Sequence, residues 1–280
     1  MVSNLEQLIK TFDDSGNDFE NKFTPWFFKN HPYWSQKIDN IWSWDDYPNK
    51  WTELERDNGT DLVLKFKDSN KVWAVQAKNY GKNTYISKGD IDSFISHSRA
   101  SQVEGRILIS TTDNIGLNAK DMTKIMDEKE WVNISLTQLH DAPINYPKKI
   151  NDLNKPASKF IPPGLWNHQK KAIQKIISGF ENNDRGQLIM ACGTGKTRVG
   201  IEVKEKLAAK LTLLLFPNLT LLSDTFSNWQ KNGKNISNTL IVCSDNTAGR
   251  KRKKEYDEME TDEKELPYIV TTDQKEIETF

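Results

Sequence analysis

The segment Gln187-Leu-Ile-Met-Ala-Cys-Gly-Thr-Gly-Lys-Thr197 constrains this chain more than any other stretch of it. A short apolar run passes through two glycines into Lys-Thr and then into a helical pattern. Gly193 and Gly195 let the backbone curl so that successive N–H groups point at one anion, and the start of the following helix adds partial positive charge. Strand, turn and helix in that order are the context a phosphate-binding loop requires. Gly193, Thr194, Gly195, Lys196 and Thr197 are therefore expected to bind ATP. Lys196 would reach the β- and γ-phosphates, and the Thr197 hydroxyl would ligate Mg2+. Met190 stands where the strict motif opens with glycine.

The sequence around the loop alternates apolar runs with helical patterns. Trp166–Phe180 carries Ala172, Ile173, Ile176 and Ile177 along one stripe, Lys196–Lys210 is a second helix and Leu219–Trp229 a third. Gln187–Met190, Leu211–Phe216, Leu240–Cys243 and Tyr268–Thr271 are short apolar runs with strand character. This alternation predicts a parallel sheet covered on both faces, a RecA-like α/β domain over residues 165–280. Residues 143–164, with five prolines from Pro143 to Pro163, disfavour both helix and central strand and are expected to form a linker. The basic run Arg250–Lys254 and the acidic stretch that follows to Glu265 suggest a solvated surface helix or loop.

Residues 1–142 form a second domain with a different pattern. Leu5, Leu8, Ile9 and Phe12 share one helical face, and a second helix is expected from Asp18 to Phe28, interrupted at Pro25. Strands follow at Ile38–Trp44, Asp61–Phe66, Val72–Ala77, Arg106–Ser110 and Trp131–Leu136, with a helix over Ser87–Ser98 that Ser87 caps. The order implies a mixed central sheet flanked by helices. Asp61 opens one strand, and Gln76-Ala-Lys78 ends the next. Period-two alternation puts Gln76 and Lys78 on one face. A hairpin that brings Asp61 to Gln76 then converges three polar groups at one edge of the sheet.

Composition adds exclusions. The chain has 39 basic and 39 acidic residues, so any nucleic-acid contact must be a local face rather than a global field. Cys192 and Cys243 give neither a disulfide framework nor zinc-ligand spacing. No apolar run approaches the ~20 residues that span a bilayer, and Met1–Lys10 lacks a signal-peptide core, so a cytoplasmic protein without membrane contact is expected. Trp42, Trp44 and Trp51 are expected in the core rather than on bases, His97 on a helix surface, and Ser110-Thr-Thr112 at a DNA phosphate or the start of a turn.

The first constellation resembles the PD-(D/E)xK nuclease fold, in the Mrr-like branch where Gln replaces the second acid. The resemblance implies that Asp61, the Gln76 side-chain oxygen and the Ala77 main-chain carbonyl hold Mg2+, that Lys78 orients or deprotonates the attacking water, and that Glu20 in Gly16-Asn-Asp-Phe-Glu20 supports the metal or water indirectly. The second half resembles superfamily 2 helicases. Leu165-Trp-Asn-His-Gln169 is similar to the segment whose glutamine reads adenine, Phe216-Pro-Asn218 to a DNA-backbone motif, and Thr271-Thr-Asp-Gln274 to a Thr-Thr-x-Gln element. Together the halves resemble the N-terminal part of type ISP restriction–modification enzymes. That likeness extends to Ile41-Trp-Ser-Trp-Asp-Asp-Tyr-Pro48, Gly89-Asp-Ile-Asp-Ser-Phe94 and Ile109-Ser-Thr-Thr-Asp113. It implies an Mg2+-dependent endonuclease coupled to an ATP-driven translocase on double-stranded DNA, in restriction or phage defence.

The acidic box of such motors is absent from the 280 residues, and so are the second motor lobe, the methyltransferase and the target-recognition part. The chain is accordingly expected to be a truncated motor, not a competent ATPase by itself, with the remaining parts in cis or on separate chains. Two other readings stand beside this one: a non-catalytic DNA-binding module, and a DNA-repair helicase with an accessory nuclease.

Overall fold

The computed structural model describes residues 4–51, 59–67, 69–116, 129–158, 163–232, 238–243 and 266–280. The Arg250–Lys254 run and the acidic stretch to Glu265 lie outside them. The chain divides into two compact units: Met1–Lys159 with Ser237–Asn246 and Glu265–Phe280, and Phe160–Ile236 with Thr247–Lys264.

The first unit opens with α1 (Asn4–Ile9), then a π-helical turn at Phe19–Phe23 that runs directly into α2 (Thr24–Asn30). Pro25 explains the irregularity. It has no N–H to continue an α-helical ladder from the preceding turn, so the register slips there. The Thr24 N–H reaches back five residues to the Phe19 carbonyl, which also accepts the Thr24 hydroxyl at 2.8 Å. The break expected at Pro25 is thus a change of helical type, with Pro25 in the first turn of α2.

After α3 (Trp34–Lys37) come β1 (Ile38–Ser43), β2 (Leu62–Phe66) and β3 (Val72–Lys78), an antiparallel meander. α4 (Lys88–His97) crosses over to β4 (Val103–Ser110), which pairs parallel with β3, and β5 (Glu130–Ile134) extends the sheet parallel to β4. The sheet order is β1-β2-β3-β4-β5, the mixed sheet the sequence predicts. β4 starts three residues earlier than its apolar pattern suggests, because Gly105 weakens that pattern while the Trp73 ring covers it. The last strand ends before Leu136, since Ser135 and Gln138 form a capping box that starts α5 (Leu136–Asp141).

Each face of the sheet has its own core. Val63, Val72, Ala74 and Val103 pack with Phe94 of α4, and Trp42, Trp44 and Trp51 gather around Tyr47 on that same core. On the other face Trp34, Phe66 and Trp73 form a run of ring contacts at 6.2 and 5.4 Å. The three tryptophans of the β1 region are packing residues, as their pattern implies.

The first part of the expected linker belongs to this unit. Tyr146 is buried with its hydroxyl on the Leu139 carbonyl, the Trp26 indole N–H donates to the Lys155 carbonyl, and the Ala157 N–H to Asn30 Oδ1. These bonds explain why a proline-rich stretch need not be free chain: its carbonyls and few N–H groups find side-chain partners. Tyr268 also packs here, its ring 4.8 Å from Tyr33, whose hydroxyl accepts the Ile269 N–H.

Buried His31 gives this unit a pH signature. Its Nδ1 accepts the Tyr33 N–H at 3.2 Å, and burial pulls the imidazole from 6.5 down to about 3. Between those values the unfolded chain binds a proton that the folded chain does not, so stability is full above pH 6.5 and falls as pH drops toward 3. At about 1.4 kcal/mol per pH unit, roughly 2 kcal/mol is lost by pH 5. Urea unfolding at pH 7.5 and 5 is expected to show this slope in the wild type and a shallower one in His31→Gln. Equal slopes would refute the assignment.

The second unit holds α6 (Asn167–Phe180), α7 (Lys196–Lys206) and α8 (Leu219–Lys231), packed through Ile173, Val199, Ile201, Phe226 and Trp229. These helices alternate with the apolar runs as the α/β pattern predicts. Gln187–Met190 and Leu211–Phe216 join no strand ladder among the described residues, and Ile189, Leu213 and Leu215 are 80–84% exposed. Apolar alternation favours a strand, yet a strand exists only when a neighbour takes its N–H and C=O groups. Among the described residues the expected strands Leu240–Cys243 and Tyr268–Thr271 meet in the parallel Val242–Thr271 bridge, which lies with the first unit.

Candidate active site

Asp61 sits just before β2 with its backbone fixed on both sides. Its N–H donates to the Val75 carbonyl and its carbonyl accepts the Trp44 N–H, both at 2.8 Å. Leu62 faces Val75 in the antiparallel register, so one step further sets Asp61 opposite Gln76. Its carboxylate Oδ2 accepts the Ala77 N–H at 2.6 Å. Gly59, at φ +75°, makes the approach possible: a Cβ there would come within 3.0 Å of the Phe94 nitrogen and 3.1 Å of Gln76 Nε2.

Gln76 and Lys78 share the face of Val72 and Ala74, as alternation requires. Gln76 is 1% exposed in the middle of the sheet, between Asp61 and Leu108, and its Oε1 is buried with no hydrogen-bond partner. A buried amide oxygen left unpaired costs about 1–3 kcal/mol, which marks it as an acceptor kept for something else. Lys78 ends β3 with its ammonium 3.8 Å from Asp90 Oδ1. Glu20 lies half-buried on the π-helical turn, which packs against β3. The structure therefore brings Asp61, Gln76, Ala77 and Lys78 together and sets the turn of Glu20 against their strand.

Among the described residues no three His, Cys, Asp or Glu side chains are grouped to hold a metal ion. A cation in this site would rest on Asp61 plus neutral oxygens, the unpaired Gln76 Oε1 first. The Ala77 carbonyl suits the same role. In an extended strand one residue's N–H and C=O point the same way, and the Ala77 N–H points at Asp61. An all-oxygen set with one carboxylate fits a hard divalent ion.

Several neighbours differ from their sequence reading. His97 is no surface residue: it is half-buried, its Nδ1 lies 2.8 Å from Thr60 Oγ1, and its ring meets Trp44 at 4.5 Å and Trp51 at 5.6 Å. Burial lowers its pKa, favouring the neutral ring. Ser110, Thr111 and Thr112 are buried rather than offered to a phosphate. Thr111 Oγ1 accepts the Tyr80 N–H and donates to the Tyr80 carbonyl, and Thr112 Oγ1 donates to the Thr84 carbonyl, so the pair fastens the loop after Lys78. Asp90 enters the sequence reading only as part of Gly89-Asp-Ile-Asp-Ser-Phe94, with the Ser87-x-x-Asp90 spacing of a helix cap, and Tyr80 carries no sequence signal.

In the phosphate loop Gly193 and Gly195 take φ +74° and +86°, the left-handed conformations that only glycine adopts readily, and Gly195 caps α7. Lys196 Nζ folds onto the Met190 and Ala191 carbonyls at 3.0 and 3.2 Å. Gln169 is buried beneath the loop. Its Oε1 accepts the Trp166 N–H and its Nε2 donates to the Thr194 carbonyl, and any side chain on Gly195 would collide with that amide. Gln169 thus supports the loop's shape, and the Trp229 indole braces the Thr197 carbonyl from α8.

Residues 29–155 match a family model described as restriction endonuclease, of the Mrr catalytic type, and residues 163–278 match the type III restriction enzyme res subunit. Asp61, Gln76 and Lys78 fall inside the first match and the phosphate loop inside the second, while Glu20 precedes both. Among solved structures the chain superposes on the DNA-bound ATP-dependent type ISP restriction–modification enzyme LlaBIII. The TM-score is 0.66 and the identity 24%, over 86% of this chain and 15% of that one. Curated relatives include a protein of Acanthamoeba polyphaga mimivirus named as an ATP-dependent RNA helicase, 36% identical over 75 residues. A protein of African swine fever virus named as a helicase is 34% identical over 80 residues. These matches cover 27% and 29% of this chain, which spans 14% and 9% of the respective relatives. No helix among the described residues is long and apolar enough to cross a membrane. The chain thus joins an Mrr-type restriction-endonuclease domain to a helicase-type domain of the type III res-subunit kind, the pair of folds seen in a type ISP restriction–modification enzyme.

Proposed function

We propose that the first domain is a divalent-metal-dependent endonuclease for double-stranded DNA, working with an ATP-driven motor in restriction or defence against foreign DNA. The observation that carries this reading is the buried, unpaired Gln76 oxygen on the strand position opposite Asp61, two residues from Lys78. Asp61, Gln76 Oε1 and the Ala77 carbonyl would hold Mg2+, and Glu20 would steady the metal's water from the neighbouring turn. Bound there, the ion supplies a Lewis acid for the scissile phosphate and its water. Lys78 would orient that water through its ammonium and stabilise the charge growing on the phosphate oxygens, the water's proton passing to solvent. In the second domain the loop Gly193–Thr197 would cradle the ATP phosphates. Lys196 would exchange its loop carbonyls for phosphate oxygens, Thr197 would offer its hydroxyl to Mg2+, and Gln169 would hold the loop open.

Incubating the chain with supercoiled plasmid and Mg2+ or Mn2+ tests the reading. Nicking is expected to stop with EDTA and to fall at least about 100-fold in Asp61→Ala and Lys78→Ala, the scale of removing a positioned charge from such a site. Calorimetric titration with Mn2+ reads the metal site without turnover, and Asp61→Ala should abolish that binding. Nicking and Mn2+ binding that survive in these variants would leave a non-catalytic DNA-binding module as the better account.

A further inference from the structure

We propose that Asp90 is a positioning residue for Lys78, an inference that rests on the endonuclease reading above. α4 starts behind Ser87, whose side chain accepts the Asp90 N–H at 3.2 Å. In return Asp90 Oδ2 accepts the Ser87 N–H at 2.9 Å and its hydroxyl at 2.8 Å. This capping box uses one carboxylate oxygen. The other, Oδ1, accepts the Tyr80 hydroxyl at 2.9 Å and stands 3.8 Å from Lys78 Nζ.

Capping alone does not account for that second oxygen. A neutral Asn at this position would still accept from Ser87, whereas among the groups that Asp90 contacts only Lys78 carries an opposite formal charge. At 3.8 Å the contact is an ion pair rather than a hydrogen bond, so it steers the ammonium without consuming its N–H donors. The arrangement is also braced. Thr111 Oγ1 grips the Tyr80 backbone at both N–H and carbonyl, and Tyr80 in turn pins Asp90. Burial, then the Asp90 bond and charge, push the Tyr80 phenol up to about 12, so it stays a proton donor. Burial by itself would raise the Asp90 carboxyl, but the Ser87 backbone and hydroxyl, Tyr80 and Lys78 outweigh it and hold it below the usual range. Asp90 is thus an anion fixed by a helix start on one side and a strand loop on the other, aimed at Lys78.

The test compares Asp90→Asn, Ser87→Ala, Lys78→Ala and the double variant of Asp90 and Lys78 in the full chain. Asp90→Asn keeps the cap and loses the charge; Ser87→Ala keeps the charge and loses the cap. Cleavage is expected to fall about tenfold in Asp90→Asn, the order of a misplaced reacting group. The Mg2+ concentration for half-maximal rate should stay within about twofold, since the metal's oxygens are untouched. Asp90→Asn should add no loss on a Lys78→Ala background, while Ser87→Ala should cleave within about threefold of wild type. Brief acylation read by mass spectrometry follows Lys78 without turnover. Its labelling should quicken in Asp90→Asn and not in Ser87→Ala. Asp61-dependent cleavage with Asp90→Asn at the wild-type rate, or with a further loss on the Lys78→Ala background, would overturn this assignment and leave the nuclease reading intact. Absence of Asp61-dependent cleavage would overturn both.

Discussion

Gln76→Leu is expected to abolish metal-dependent cleavage while leaving the first domain as stable as the wild type or more so. Leu matches the volume of Gln, and the position is already 1% exposed within an apolar sheet interior. The wild-type amide oxygen has no partner there, so folding bears the cost of desolvating it. Replacing an unsatisfied buried polar group by an apolar one of similar shape is neutral or stabilising, here by up to about 1–2 kcal/mol. On the proposed reading the same change removes a metal oxygen for which the strand offers no substitute, and a loss of at least about 100-fold in rate is expected. Gln76→Glu, which keeps an oxygen and adds charge, should instead retain metal binding. Urea unfolding read beside plasmid nicking separates the outcomes. A Gln76→Leu variant that is destabilised by more than about 2 kcal/mol, or that still cleaves, would mean that the glutamine serves the core.

Gly105→Ala is expected to cost the first domain about 3 kcal/mol or more, at the upper end of overpacking penalties. A Cβ on Gly105 would lie 2.6–2.7 Å from three atoms of the Trp73 ring. Neither side has room to yield. Trp73 is 1% exposed, rests against Phe66 and donates its indole N–H to Glu104, while Gly105 is held in the ladder between Trp73 and Glu130. Gly81→Ala is the control: its Cβ would meet only the Thr84 hydroxyl, at 3.4 Å, and should cost under about 0.5 kcal/mol. The urea midpoint of each variant decides the matter, and a Gly105→Ala midpoint equal to that of Gly81→Ala would show that β4 shifts freely.

Much of the first domain is legible because its signals are local. Period-two runs marked all five strands, and the spacing of Asp61, Gln76 and Lys78 survived folding because antiparallel register and strand alternation are nearly rigid rules. The phosphate loop is legible for the same reason, since Gly193 and Gly195 supply the conformations its curvature demands. What the sequence hid was everything that depends on a distant partner. Asp90 reads as a helix cap until α4 is laid across β3, and His97 as a surface residue until Thr60, Trp44 and Trp51 close around it. Residues 143–158 read as a linker because prolines disfavour helix and strand, yet a 3-10 helix forms at Ile150–Asn154 and Trp26 and Asn30 bind the stretch to the first unit.

The second domain shows the converse limit. Its apolar runs at 187–190 and 211–216 carry strand propensity, and among the described residues they join no ladder, since propensity alone does not supply the neighbour whose carbonyls and N–H groups a strand needs. The chain's residues alone determined the phosphate loop, the mixed sheet and which three polar groups meet on it. Only the tertiary structure decided that the Gln76 oxygen is buried without a partner and that Asp90 stands beside Lys78. Those two facts depend on which atoms surround a side chain, and no spacing along the chain encodes that.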